Sequence, residues 1–176
     1  MSNMSFGDIL SDFDSVLLRL PKLEDGMDVF RLISNCPPLD TNSSYCNLLQ
    51  CSHFASTSVA AFEGDSLMGF ISGYPLPDKP STLFVWQVAV SENGRGRGLA
   101  SKMLTHILSR SCNSHIEYLE TTVTEDNQPS WELFKRFAKK NDAIFRSSEW
   151  MDKSKHFAGQ HASESLVRIG PFTLTP

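Results

Sequence analysis

The stretch that most constrains this chain is residues 83–108. It opens with Leu83-Phe84-Val85-Trp86-Gln87-Val88-Ala89-Val90, an aromatic and β-branched run that predicts a strand. Gly94-Arg95-Gly96-Arg97-Gly98 follows, and then Leu99, Met103, Leu104, Ile107 and Leu108 recur at helical spacing. Glycines let the backbone turn sharply and approach a ligand closely. The N–H groups at a helix N-terminus favour an anion, and two arginines add positive charge. A pyrophosphate is the natural guest of such a loop.

Known phosphate loops separate on spacing. A Walker loop needs a Gly-Lys-Ser/Thr ending, which is absent here. A dinucleotide fingerprint begun at Gly94 would put Leu99 where a small residue is required, and begun at Gly96 would put Ser101 there. The pattern Q/R-x-x-G-x-G/A fits completely as Arg95-Gly96-Arg97-Gly98-Leu99-Ala100.

The rest of the chain supplies a pattern of elements around that loop. Val16–Leu20 reads as a short strand closed by Pro21. A helix opens near Glu24 and Asp25 and ends before Pro37-Pro38; Ser43 or Ser44 caps a second that runs through His53. Thr57–Phe62 and Leu67–Tyr74 read as strands around a turn at Glu63-Gly64-Asp65, and Pro75–Pro80 as a connection. Tyr118–Thr124 predicts a strand, and Pro129 opens a helix to about Asn141. Ala143–Met151 and Leu166–Leu174 predict two last strands around a long polar loop, 152–165. The fold class is α/β (α+β), with a mixed sheet. Residues 1–14 read as an N-terminal tail and 15–176 as a single domain.

Composition excludes more than it selects. The 176 residues carry a formal net charge of −4, without the basic surplus of a nucleic-acid binder. No apolar run is long enough for a membrane span, and the first residues lack the basic start of a secretory signal. The four cysteines, Cys36, Cys46, Cys51 and Cys112, form no metal spacing and read as reduced thiols of a cytoplasmic protein. No metal is expected.

The loop, its preceding Val88-Ala89-Val90 and Asn127 after the next strand resemble the acetyl-CoA site of the GCN5-related N-acetyltransferases. That resemblance implies a mostly antiparallel sheet of about seven strands flanked by about four helices. It also implies that the main chain of Val88 and Val90 pairs with the pantetheine arm in a gap between strands. Arg95, Gly96, Arg97, Gly98, Leu99, Ala100 and Asn127 would hold the rest of the cofactor. Acetyl-CoA would be the co-substrate, attacked directly by an amine. The tyrosine that many members use to protonate the departing thiolate is Phe134 here.

Longer runs narrow the resemblance. Cys36-Pro37-Pro38-Leu39-Asp40, Asn42-Ser43-Ser44-Tyr45-Cys46, Phe84–Val90, Tyr118–Thr124, Asp126-Asn127 and Arg168-Ile169-Gly170-Pro171 are similar to the diaminobutyrate acetyltransferases of ectoine synthesis. The match runs from about residue 18 to about 172. It implies L-2,4-diaminobutyrate as acceptor, acetylation of its γ-amine, and a homodimer. Such a substrate carries two ammonium groups and one carboxylate. Asp40 and Glu120 are the acidic residues of the shared runs, and Glu120 lies in an apolar strand where an unpaired carboxylate is costly. Either it faces a cationic ligand, or it is an ordinary strand carboxylate that faces solvent or is paired. Tyr45 and Trp86 are candidates to wall the pocket around an ammonium.

The attacking amine must also lose a proton, at a cost of about 4–5 kcal/mol at neutral pH for a lysine-like group. Glu120 is the first candidate base, with His161 and Tyr45 after it and His156 weaker. Arg168 is a candidate for the substrate carboxylate, and a solvated strand arginine is the competing reading. Two other functions share the cofactor loop. One is acetylation of a different small amine, such as a polyamine, and the other is a non-catalytic CoA-binding regulator.

Overall fold

A computed structural model describes residues 16–172. The expected tail, 1–14, and the end of the last expected strand lie outside the described residues. Among the described residues, seven strands form one sheet in the order β1-β2-β3-β4-β5-β7-β6. They are β1 (Val16–Arg19), β2 (Val59–Glu63), β3 (Ser66–Leu76), β4 (Lys79–Val90), β5 (Tyr118–Thr124), β6 (Phe145–Met151) and β7 (Glu164–Ile169). The α-helices of the described residues are α1 (Gly26–Ser34), α2 (Ser44–Ser52), α3 (Leu99–Leu108) and α4 (Gln128–Lys140).

Every neighbouring pair is antiparallel except β4 and β5. Those two are joined through α3, and a helical crossover returns the chain in the same direction. One sheet face packs on α3 and α4. Its core includes Leu83, Val85, Met103, Leu104, Ile107, Leu119, Val123, Phe134, Phe137 and Ile169. The other face packs on α1 and the inner side of α2 through Val29, Ile33, Cys51, Ala60, Phe70 and Ala89.

Ser43, not Ser44, caps α2: its hydroxyl accepts from the Cys46 N–H at 3.1 Å. Asn127 caps α4 in the same way, accepting from Ser130 N–H at 3.2 Å, with Pro129 in the first turn. An ion pair anchors the entry to α1. Arg19 Nη1 and Nη2 donate to the two oxygens of Asp25 at 2.7 and 2.8 Å, and Lys22 N–H adds a third bond at 2.7 Å.

Three boundaries differ from expectation. The segment Pro75–Pro80 is not a connection but the tip of a hairpin, with Leu76 opposite Lys79. Prolines fit there because the register breaks beside Pro75 and no ladder bond is demanded of them. β2 begins at Val59, because the Thr57 hydroxyl donates to Gly73 O at 2.6 Å and holds Ala55–Thr57 in a 3-10 turn. β7 ends at Ile169. Gly170 takes φ +131°, and a Cβ there would lie 2.6 Å from Glu117 O, so the chain turns where only glycine fits.

Candidate active site

The site begins with a defect in β4. Ser72 of β3 faces Gln87 and Gly73 faces Val85, so Trp86 has no residue opposite it. This bulge switches the alternation of side chains. Leu83 and Val85 face α3 and α4 before it, and Val88 and Val90 face them after it. The bulge also bends β4 away from its parallel neighbour. β4 and β5 pair only at Thr82–Tyr118, Leu83–Leu119 and Phe84–Glu120. A last tie, from Thr121 Oγ1 to Val85 O at 2.9 Å, closes the apex of the gap.

The main chain of Val88 and Val90 faces that gap. Ser91 N–H donates to Met68 O at 2.8 Å, which fixes the parity of the β3–β4 ladder. In an antiparallel ladder, alternate residues aim both backbone groups away from the partner. From Ser91 that parity turns Val90 and Val88 outward. Val90 O already accepts from Arg95 Nε at 3.3 Å and from Cys36 Sγ at 3.4 Å.

At the open end of the gap lies the glycine loop. Gly96 and Gly98 have φ +74° and +69°, and a Cβ at either would meet nothing within 4 Å. Glycine is required there by conformation, not by space. Gly98 is the N-cap of α3, and the first intrahelical donor is Lys102 N–H to Gly98 O at 3.1 Å. The N–H groups of Leu99, Ala100 and Ser101 therefore lack helical acceptors. The Leu99 side chain is buried core, so only its backbone serves the loop. Arg97 is paired with Glu63 at 2.8 Å, and Arg95 is exposed. Phe134 is buried among the core residues behind the sheet.

The second half of the site is polar and lies on the other sheet face. Glu120 is 4% exposed, and its Oε1 meets Arg168 Nη1 and, at 3.7 Å, Lys79 Nζ. Arg168 is its register partner on β7 and lies 3.9 Å above the Tyr118 ring. Glu120 thus has protein partners for its charge. The rings of Tyr74, Phe84, Trp86 and Trp150 form an aromatic floor beside it, with centroids 5.5–6.3 Å apart.

Asp40 and His161, 121 positions apart in sequence, meet with Oδ2 and Nε2 at 3.2 Å. Asp40 lies in the α1–α2 loop, and its carboxylate is 81% exposed. Tyr45, on the first turn of α2, is also exposed. His156 is used locally: its Nδ1 accepts from Asp152 N–H at 2.7 Å.

Two further residues complete this half. Glu164 Oε1 is 3.8 Å from His161 Nε2, and only 17% of its side chain is exposed. Burial pushes its carboxyl above the usual range, and Asp40 and Asp126 push the same way against His161 and a hydrogen bond from Thr122. Gln87 straps the Asp40 loop to β4: its Nε2 donates to Asp40 O at 2.9 Å, and its Oε1 accepts from Asn42 at 2.8 Å. An amide amid an apolar strand was the available hint for Gln87. Among the described residues, no group of three His, Cys, Asp or Glu side chains could hold a metal ion, and no helix is long and apolar enough to cross a membrane.

A bulged and splayed β4, a glycine loop capping α3 and a polar pocket on the opposite face together define an acyl-group transferase site. The chain belongs to the acetyltransferase (GNAT) family, whose profile matches residues 27–138. Its relatives are more particular. It is 56% identical to the L-2,4-diaminobutyric acid acetyltransferase of Methylotuvimicrobium alcaliphilum, over 89% of this chain and 91% of that one. It is 42% identical to the enzyme of the same name from Halomonas elongata, over 89% and 82%. Among solved structures it is similar to the diaminobutyrate acetyltransferase of Paenibacillus lautus in complex with its substrate L-2,4-diaminobutyric acid and coenzyme A. There the TM-score is 0.86 and the identity 34%, over 92% of this chain and 98% of that one.

Proposed function

We propose that this enzyme transfers an acetyl group from acetyl-CoA to the γ-amine of L-2,4-diaminobutyrate, the step that commits that amino acid to ectoine and so to protection from osmotic stress. The observation that carries the reading is the pairing of a cofactor gap on one side of β4 with two opposite charge poles on the other. Residues 15–176 act as one domain in the cytoplasm. The exposed β6, an outer strand of the sheet, supports a homodimer.

The cofactor, when bound, supplies an acetyl thioester. Val88 and Val90 offer it an outward strand edge, and the N–H groups of Leu99, Ala100 and Ser101 suit its pyrophosphate. Gly96 and Gly98 let the backbone close on those phosphates, and Arg95 adds charge. The Asn127 amide caps α4 with its oxygen, which leaves its NH₂ for the cofactor.

The acceptor's charges match the pocket. Asp40 and Glu164 form an acidic pole for ammonium, with Tyr45 and Trp86 as its walls. Lys79 and Arg168 exceed the charge of Glu120 by one, which suits a carboxylate. Glu120 acts by holding those two cations in place. Pinning the carboxylate at the cationic pole places the far nitrogen, the γ-ammonium, at the acidic pole beside the gap. Proton removal falls to the Asp40–His161–Glu164 cluster. The amine attacks the thioester directly.

The test is acetyl transfer by the purified protein with L-2,4-diaminobutyrate, followed by identification of the acetylated nitrogen. Rapid γ-selective transfer is expected. No transfer, with coenzyme A still bound, would overturn the substrate and leave the family untouched.

A further inference from the structure

The two ring nitrogens of His161 have different partners. Nδ1 is 2.7 Å from the Ala162 carbonyl oxygen. A carbonyl only accepts, so Nδ1 carries hydrogen. Nε2 faces Asp40 Oδ2 at 3.2 Å and Glu164 Oε1 at 3.8 Å. A neutral ring protonated on Nδ1 would point its Nε2 lone pair at two carboxylates. A second proton, on Nε2, turns that repulsion into two attractions. The cavity that His161 lines also takes in Lys135, Lys153, Lys155 and His156, but the charged groups that meet its Nε2, and the one that acts on them, are acidic and come from three elements. They are Asp40 from the α1–α2 loop, Glu164 from β7, and Asp126 from the β5–α4 turn, which acts on Glu164. The Phe157 ring, 4.7 Å from the imidazole centroid, covers it without adding charge.

We infer that His161 is an imidazolium in the substrate-free enzyme and gives its Nε2 proton to solvent when a cationic amine settles between Asp40 and Glu164. This rests on the reading that these carboxylates receive the acceptor's ammonium. The imidazolium fills the acidic pole with the same charge the substrate brings. Two cations would then compete for one pair of carboxylates, and the one that can discharge does so. The charge balance is simple: an ammonium enters and a proton leaves. The Nδ1–H bond to Ala162 O persists throughout, so the neutral ring has one tautomer, with its lone pair on Nε2. That lone pair then faces the bound nitrogen and is available for the proton the amine must lose.

The test is calorimetry of L-2,4-diaminobutyrate binding to the full chain with coenzyme A present, in buffers of different ionisation enthalpy. Net proton release is expected, rising toward one per substrate as the pH falls through the histidine range. Affinity should improve by up to about tenfold for each unit by which the pH rises across that range. His161→Gln should still bind the substrate, and its proton release should vanish. ¹⁵N NMR of the ring should show imidazolium in the free protein and the neutral Nδ1–H tautomer in the complex. Buffer-independent heats, release that persists in His161→Gln, or a neutral ring in the free protein at pH 6.5 would each overturn the inference. Absence of any substrate binding would instead count against the substrate reading, and the ring's state in the free protein would then decide the inference alone.

Discussion

Arg168 and Glu120 are opposite one another on adjacent strands, and the guanidinium that meets the Glu120 carboxylate also lies over the Tyr118 ring. Three residues thus fix one cation at the edge of the pocket. Glu120→Gln removes the charge that holds Arg168 and Lys79 in place. The expected result is an unchanged dissociation constant for coenzyme A and a fall of about a hundredfold in kcat/KM for the amine. Steady-state kinetics beside a CoA-binding measurement checks this, and full activity would sink the role assigned to Glu120.

Gly98→Ala tests the cofactor loop. The new methyl group has room, but φ +69° strains any residue with a Cβ. A loss of about 1–2 kcal/mol is expected, shared between stability and coenzyme A affinity. Denaturant melts with and without coenzyme A separate the two parts.

Gln87→Leu keeps the volume of the side chain and removes the strap on the Asp40 loop. Its two hydrogen bonds go to Asp40 O and Asn42, so the loop loosens while the cofactor gap stays intact. The KM for the amine should rise, that for acetyl-CoA should hold, and stability should fall by about 1–3 kcal/mol.

The Arg19–Asp25 pair makes acid sensitivity predictable. Burial raises the Asp25 carboxyl, but Arg19 and the Lys22 N–H outweigh it, and the net shift is downward. A carboxyl lowered on folding stabilises the protein above its unfolded pKa of about 3.9. That contribution drains away as the pH falls through the lower, folded value. Asp25→Asn should therefore cost about 2–3 kcal/mol at neutral pH and progressively less in acid. Thermal melts of both proteins between neutral pH and the carboxylate range measure the difference.

The thiols should respond unequally to alkylation. Cys112 is exposed, whereas Cys36 and Cys51 are buried and burial pushes the Cys51 thiol up to about 12. Cys112 should react first and Cys51 only on unfolding, as mass spectrometry of a timed reaction would show. Acetyl transfer should survive replacement of all four cysteines, because direct attack uses none of them.

The glycine loop before α3 was legible in the sequence because its determinants are local. Gly96, Gly98 and the apolar spacing of α3 lie within a few residues of one another, and backbone conformation follows from residue type. The acceptor side depends on long-range pairing. Nothing near Glu120 in sequence reveals that Arg168 sits opposite it, since that needs the register of β5 with β7. Glu164 is hidden for the same reason: it reaches His161 only because β7 begins where the 152–163 loop ends. Asp40 and His161 were visible singly, but their contact was not. Which face each residue of Leu83–Val90 takes was not legible, because the bulge depends on what β3 places opposite.

That bulge behaves like a dislocation in a crystal. One surplus residue, Trp86, is a line of mismatch that no substitution of side chains can heal. Deleting one residue there would bring the two lattices back into step. The slot between β4 and β5 would tend to shut, and Gln87, Val88, Ala89 and Val90 would each move to the opposite face of the sheet. The enzyme therefore tolerates changes of residue at this point far better than changes of number.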